Sequence, residues 1–164
     1  MVLVPLTFIA WAALGTVQVI FSQVPLAALF PLAVLAAGFE ATHALHIGVE
    51  RIGRYLQVFY EEPSRDDGGG VRARWETTAM AGSPALPGGG VDPLFAVLFF
   101  SAVILNLALG LVSGPTTMEV GVVGTPHVIL LARIIQARRA AARQRQRDLE
   151  HYRALRDTGA HASS

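Results

Sequence analysis

Met1–Phe39, MVLVPLTFIAWAALGTVQVIFSQVPLAALFPLAVLAAGF, contains no Asp, Glu, Lys or Arg. A run of that length without charge has no place on the surface of a soluble domain, where about a quarter of residues are charged. It divides at Ser22-Gln23-Val24-Pro25 into a first stretch near twenty residues and a second that reaches that length by running on to Leu45. Twenty helical residues rise about 30 Å, the thickness of a bilayer's hydrocarbon core. The stretch therefore predicts a transmembrane hairpin, with spans at about 2–21 and 25–45. Pro5 sits in the first turn, where its missing N–H costs little, and Pro31 is a candidate kink.

Two further apolar stretches, Pro93–Val112 and Val120–Ile135, extend the pattern. Asp92-Pro93 is a helix start and Ser113-Gly114-Pro115 a stop. The fourth stretch is short between Glu119 and Arg133, so its span, placed at about 119–136, requires both charged side chains to snorkel. Thr125-Pro126 also resembles a helix start, which leaves a broken or re-entrant segment as the alternative.

Arginine placement sets the orientation. Every one of the 13 basic residues is Arg. One group lies in 51–74 and the larger one from Arg133 onward. Short Arg-rich flanks stay in the cytoplasm, and both can do so only if an even number of spans separates them. The sequence thus predicts an all-α integral membrane protein with about four transmembrane helices in two hairpins and both termini cytoplasmic. The uncharged N-terminus lacks a basic n-region, so a cleaved signal peptide is not expected. With no Cys in the chain, disulfides, thiolate metal sites and thiol catalysis are excluded.

Each hairpin ends in an amphipathic or charged helical extension. In 40–62, Leu45, Val49, Ile52, Leu56 and Phe59 share one face, and Glu40, His43, His46, Glu50, Arg54, Gln57 and Glu61 the other. The apolar side, with Ile52, Tyr55, Leu56, Phe59 and Tyr60, is a candidate surface for a partner or the membrane. Residues 63–92, with two triple-glycine runs, read as a Gly/Pro-rich cytoplasmic loop. The segment after the fourth span, within 93–158, continues as an Arg-rich cytoplasmic helix. Residues 159–164 read as a disordered tail. Arg133, Arg138, Arg139 and Arg143 are candidate lipid or topology anchors. With Tyr152 the lone aromatic among them, nucleic acid is not an expected partner.

Two places can carry chemistry. Glu40, His43, His46 and Glu50 fall on one helix stripe, and Glu-x-x-His is a spacing used in carboxylate-bridged metal bundles. No second copy exists in the chain, so a solvated or hydrogen-bonded face is the favoured reading of the stripe. His127, inside the fourth apolar segment, can ligate a metal or haem, relay protons, or bond a carbonyl or the Asn106 amide; a structural hydrogen bond is favoured. Asn106 and the small residues Ala33, Ala36, Ala37, Gly38, Gly121 and Gly124 suit close helix packing.

No phosphate loop, nucleophile elbow or zinc-protease helix is present. The expectation is a non-enzymatic accessory or scaffolding subunit of a membrane complex, in contact with lipids and with a protein partner or a second copy, and without a cofactor. The alternative is a metal- or proton-handling protein, a redox subunit or small transporter, using Glu40, His43, His46, Glu50 and His127 with a transition metal or haem. A lipid-binding or membrane-shaping role is a third option.

Overall fold

The computed structural model describes residues 2–20, 24–62, 93–112 and 114–162. The Asp92 cap and the loop at 63–92 lie outside the described residues. Helix α1 spans Leu3–Ile20, α2 Leu29–Leu56, α3 Pro93–Leu111 and α4 Thr117–Ala162. A 3₁₀ turn, Pro25–Ala28, leads into α2, and a π-helical turn, Gln57–Glu61, follows it. Among the described residues there is no strand. Four helices are long and apolar enough to cross a membrane.

Three local features differ from expectation. Because α2 starts at Leu29, Pro31 lies in its first turn rather than at an interior kink. The fourth apolar segment is not broken at Thr125-Pro126, since α4 runs through Pro126 as one helix. Its start is Thr116: the backbone N–H and hydroxyl of Thr116 both donate to Glu119 Oε2 at 2.8 Å, and the Glu119 N–H returns a bond to Thr116 Oγ1 at 3.4 Å. That is a capping box. Finally, the tail expected to be disordered from Gly159 is helical as far as Ala162. The stop between α3 and α4 matches expectation, and Gly114 supplies it with a φ of +66°, a conformation open to glycine.

The chain divides into two compact units whose boundaries fall inside α2 and α4. The first comprises residues 1–44 and 91–138. Its core joins Leu32, Leu35 and Phe39 of α2 to Ala96, Phe99, Ala102 and Val103 of α3 and to Leu130, Ile134 and Ala137 of α4. Phe8 and Trp11 of α1 pack against this core. Phe99 is the aromatic centre, with ring centroids 5.2 Å from Phe8 and 5.5 Å from Phe39. Two glycines set close approaches. A Cβ on Gly38 would run into the Thr7 side chain, and one on Gly110 would come within 2.9 Å of the Ala28 Cβ. Gly121 and Gly124 face open space, so they do not serve close packing within this unit.

The second unit comprises residues 45–90 and 139–164. Its described part is the end of α2 with the π turn, paired with the end of α4. Contacts keep a nearly constant sequence offset: 94 for Arg54–Asp148, 91 for Arg153–Glu62, 94 for Arg156–Glu62 and 98 for Arg156–Val58. A constant difference means that both segments advance in the same direction, so they form a parallel pair. Tyr55, Phe59 and Tyr152 close it with edge-to-face rings, Tyr55 and Tyr152 at 5.9 Å and Phe59 and Tyr152 at 6.5 Å.

Candidate functional site

Within the first unit, one polar node draws on all four helical segments. Asn106 on α3 is fully buried, as is His127 on α4. The Asn106 amide nitrogen donates to the Ala28 carbonyl at 2.9 Å and lies 2.9 Å from His127 Nε2. Its carbonyl oxygen accepts from Trp11 Nε1 on α1 at 3.3 Å. His127 Nδ1 is 2.7 Å from the Val123 carbonyl. A carbonyl only accepts, so Nδ1 carries the proton and Nε2 accepts from Asn106. Every polar atom of the Asn106 amide and both His127 ring nitrogens are thereby engaged. Pro126, the residue before His127, contributes no N–H to the Val122 carbonyl one turn back, and the imidazole bonds the next carbonyl, that of Val123. Of the roles weighed for His127, the arrangement presents the neutral, hydrogen-bonded one with Asn106 as partner.

The Glu40–Glu50 stripe is divided between the two units. In the first unit, Glu40 is partly exposed and pairs with Arg133 at 2.8 Å. His43 is buried and stacks on Phe39, with ring centroids 5.8 Å apart. In the second unit, His46 Nε2 lies 3.1 Å from Glu50, and Glu50 is also 3.1 Å from Arg54. Among the described residues, no three His, Asp or Glu side chains converge in metal-binding geometry.

In the second unit the polar side of α2 is hydrogen-bonded to protein. Arg54 is 1 % exposed and joins Glu50 to Asp148 of α4, at 2.9 Å for the latter. A guanidinium carries five donors in a planar fork, which lets it bridge two carboxylates. Further along, Arg153 and Arg156 both bind Glu62, at 2.7 and 2.9 Å. The Arg153 hydrogen bond, aided by Arg156, holds the Glu62 carboxyl below the ordinary glutamate range.

The apolar face points the other way. Leu45 is 62 % exposed, Val49 69 %, Ile52 63 % and Tyr60 63 %, with Tyr55 and Leu56 also exposed. Of the surface predicted there, Phe59 alone turns partly inward, against Tyr55 at 4.7 Å. Within this pair Glu50, Arg54 and Val58 lie at the seam, whereas Leu45, Val49, Ile52 and Leu56 lie outside, as does Arg51. The arginines of α4 are similarly sorted. Arg133 is an ion-pair partner of Glu40 rather than a free anchor, Arg138 is half-buried, and Arg139 and Arg143 are exposed.

One further feature was open to sequence reading, and another was not. The Thr116-x-x-Glu119 spacing signals the α4 start directly. Gly110 sits on α3 opposite Ala28 and has no sequence signature beyond being small.

No family model, characterised protein or solved structure matches the chain.

Proposed function

We propose that this chain is a non-enzymatic, multi-pass membrane protein, an accessory or scaffolding subunit that binds a protein partner or a second copy through the outer face of α2 beyond Ala44. The observation that carries this reading is the exposed ladder Leu45, Val49, Ile52, Leu56 and Tyr60 on a segment whose Glu50 and Arg54 are turned inward. A contiguous exposed apolar face of this kind marks an interaction surface. At 28 residues α2 is about 42 Å long, more than the roughly 30 Å hydrocarbon core requires, so part of it extends past the lipid tails. Both Arg-rich flanks on the cytoplasmic side, with four spans between the termini, is the topology that fits the arginine distribution. The parallel run of the two segments in the second unit supports it.

The test is extraction in a mild detergent followed by mass determination of the protein part of the particle. The expected result is a species well above the 17.5 kDa monomer, reduced to the monomer by Ile52→Glu/Leu56→Glu with helicity retained. A monodisperse wild-type monomer with nothing co-purifying would overturn the proposal. Elemental analysis of the same preparation addresses the metal-handling alternative. Stoichiometric metal that is lost in His43→Ala/His46→Ala would put that reading in place of the scaffold.

A further inference from the structure

The arginines of α4 divide by what they do. Arg133 is committed to Glu40, and Arg153 and Arg156 to Glu62. Arg139, Arg143 and Arg147 are exposed, and among the described residues no carboxylate pairs with them. Their spacing of four places them on one side of the helix, about 6 Å apart along its axis. Asp148 and Glu150 are the two acids within a turn of any of them, both beside Arg147, and Asp148 is committed to Arg54. Unneutralised guanidinium groups in a row are a surface for phosphate oxygens, which they bind in a fork.

We infer that Arg139, Arg143 and Arg147 form a binding edge for the phosphate headgroups of anionic lipids. Position selects the lipid over other phosphates. Arg139 follows the apolar Ile135 by four residues on the same helix, a rise of about 6 Å, and the headgroup layer is about 5–7 Å deep beyond the hydrocarbon. Arg143 lies one turn further and its long side chain reaches back toward that layer. Arg147 acts on it through the roughly 8–10 Å over which charge is felt at ordinary ionic strength. The intervening and flanking residues, Gln136, Ala140, Gln144 and Gln146, include no aromatic side chain on which a base could stack. The inference rests on the membrane placement of α4 proposed above, and is independent of any protein partner.

The experiment is native mass spectrometry of the full chain released from detergent after titration with phosphatidylglycerol or phosphatidylcholine. The wild type should retain phosphatidylglycerol in preference to phosphatidylcholine. Arg139→Gln/Arg143→Gln should weaken that retention roughly thirtyfold, at the usual contribution of a juxtamembrane arginine, with Arg147→Gln alone doing less. Arg153→Gln, outside the edge, should leave it unchanged. Equal retention of the two lipids by the wild type, or undiminished phosphatidylglycerol retention by the double variant, would overturn the inference. So would soluble polyphosphate or an RNA oligonucleotide binding the edge as tightly as the lipid. A chain that stays soluble and monodisperse without detergent would instead overturn the membrane placement itself, which keeps the two failures distinguishable.

Discussion

At the scale of single residues, Asn106 and His127 make the clearest physical claim. Removing one member of a buried polar network leaves its partners unpaired, which costs more than the bond contributed. Asn106→Leu strands Trp11 Nε1, the Ala28 carbonyl and His127 Nε2 together, whereas Trp11→Phe breaks one 3.3 Å bond. In a membrane bundle such bonds average about 0.6 kcal/mol and reach about 1.7. Asn106→Leu should therefore cost about 2 kcal/mol and Trp11→Phe about 0.5, read from reversible unfolding in detergent mixtures. Equal effects would show that the node is not shared as described. Arg54 is a second such residue. Its replacement by Leu leaves Glu50 and Asp148 facing each other, and breaking a buried ion pair costs about 3–5 kcal/mol. Because both carboxylates keep some solvent contact, the lower end, about 3 kcal/mol, is expected for Arg54→Leu in thermal unfolding. Glu62 adds a pH dependence. Its folded carboxyl is held below the ordinary value of 4.5, so it stabilises the folded state above that pH. That contribution is lost as pH falls through the depressed folded value. Glu62→Gln should flatten the acid limb of the stability profile below about pH 4.5 and leave the neutral region's slope untouched.

At the scale of elements, glycine positions separate real helix contacts from merely small surfaces. Gly38→Ala drives a methyl into Thr7, whose β-branched side chain is fixed by its hydroxyl bond to the Leu3 carbonyl at 2.9 Å. Gly121→Ala meets nothing and gains helix propensity of up to about 1 kcal/mol. The two alanine variants should therefore move stability in opposite directions, and Thr7→Ala, which removes Cγ2 and Oγ1 but keeps the Cβ, should rescue part of the Gly38→Ala loss in a double-mutant cycle. This distinction also marks what was legible beforehand. The long apolar helices were readable because an uncharged run near twenty residues has few other interpretations, and the stop at Gly114 because glycine before proline cannot continue a helix. Gly38, Gly121 and Gly124 looked alike because composition does not reveal which side of a helix a neighbour occupies. Thr125-Pro126 drew the eye away from the Thr116–Glu119 box, the true start of α4. The 3.6-residue period of residues 45–60 separates an apolar face from a charged one, with Phe59 turned partly inward. Periodicity shows that two faces exist, however, and not which one is inside. Arg54 and Asp148 are 94 residues apart in the chain, and that long-range pairing is what turned the charged face inward.

At the scale of the whole chain, the candidate chemistry in the sequence is largely absorbed by structure. Glu40 goes to Arg133, Glu50 to His46 and Arg54, and His127 to Asn106 and the Val123 carbonyl. Among the described residues, what stays exposed is an apolar ladder on α2 and a row of arginines on α4. The proposed scaffold role uses these as surfaces for holding other molecules. The absence of cysteine makes the chain well suited to single-cysteine labelling, since any introduced thiol is the only one present. The most direct test compares Ile52→Cys with Glu150→Cys in native membranes, using a membrane-impermeant maleimide applied from each side. The account predicts that Glu150→Cys labels rapidly from the cytoplasmic side alone. Ile52→Cys should stay protected from both sides until detergent or denaturant strips its partner. Rapid, equal labelling of both positions in intact membranes would contradict it, because the apolar face of α2 would then stand open to water.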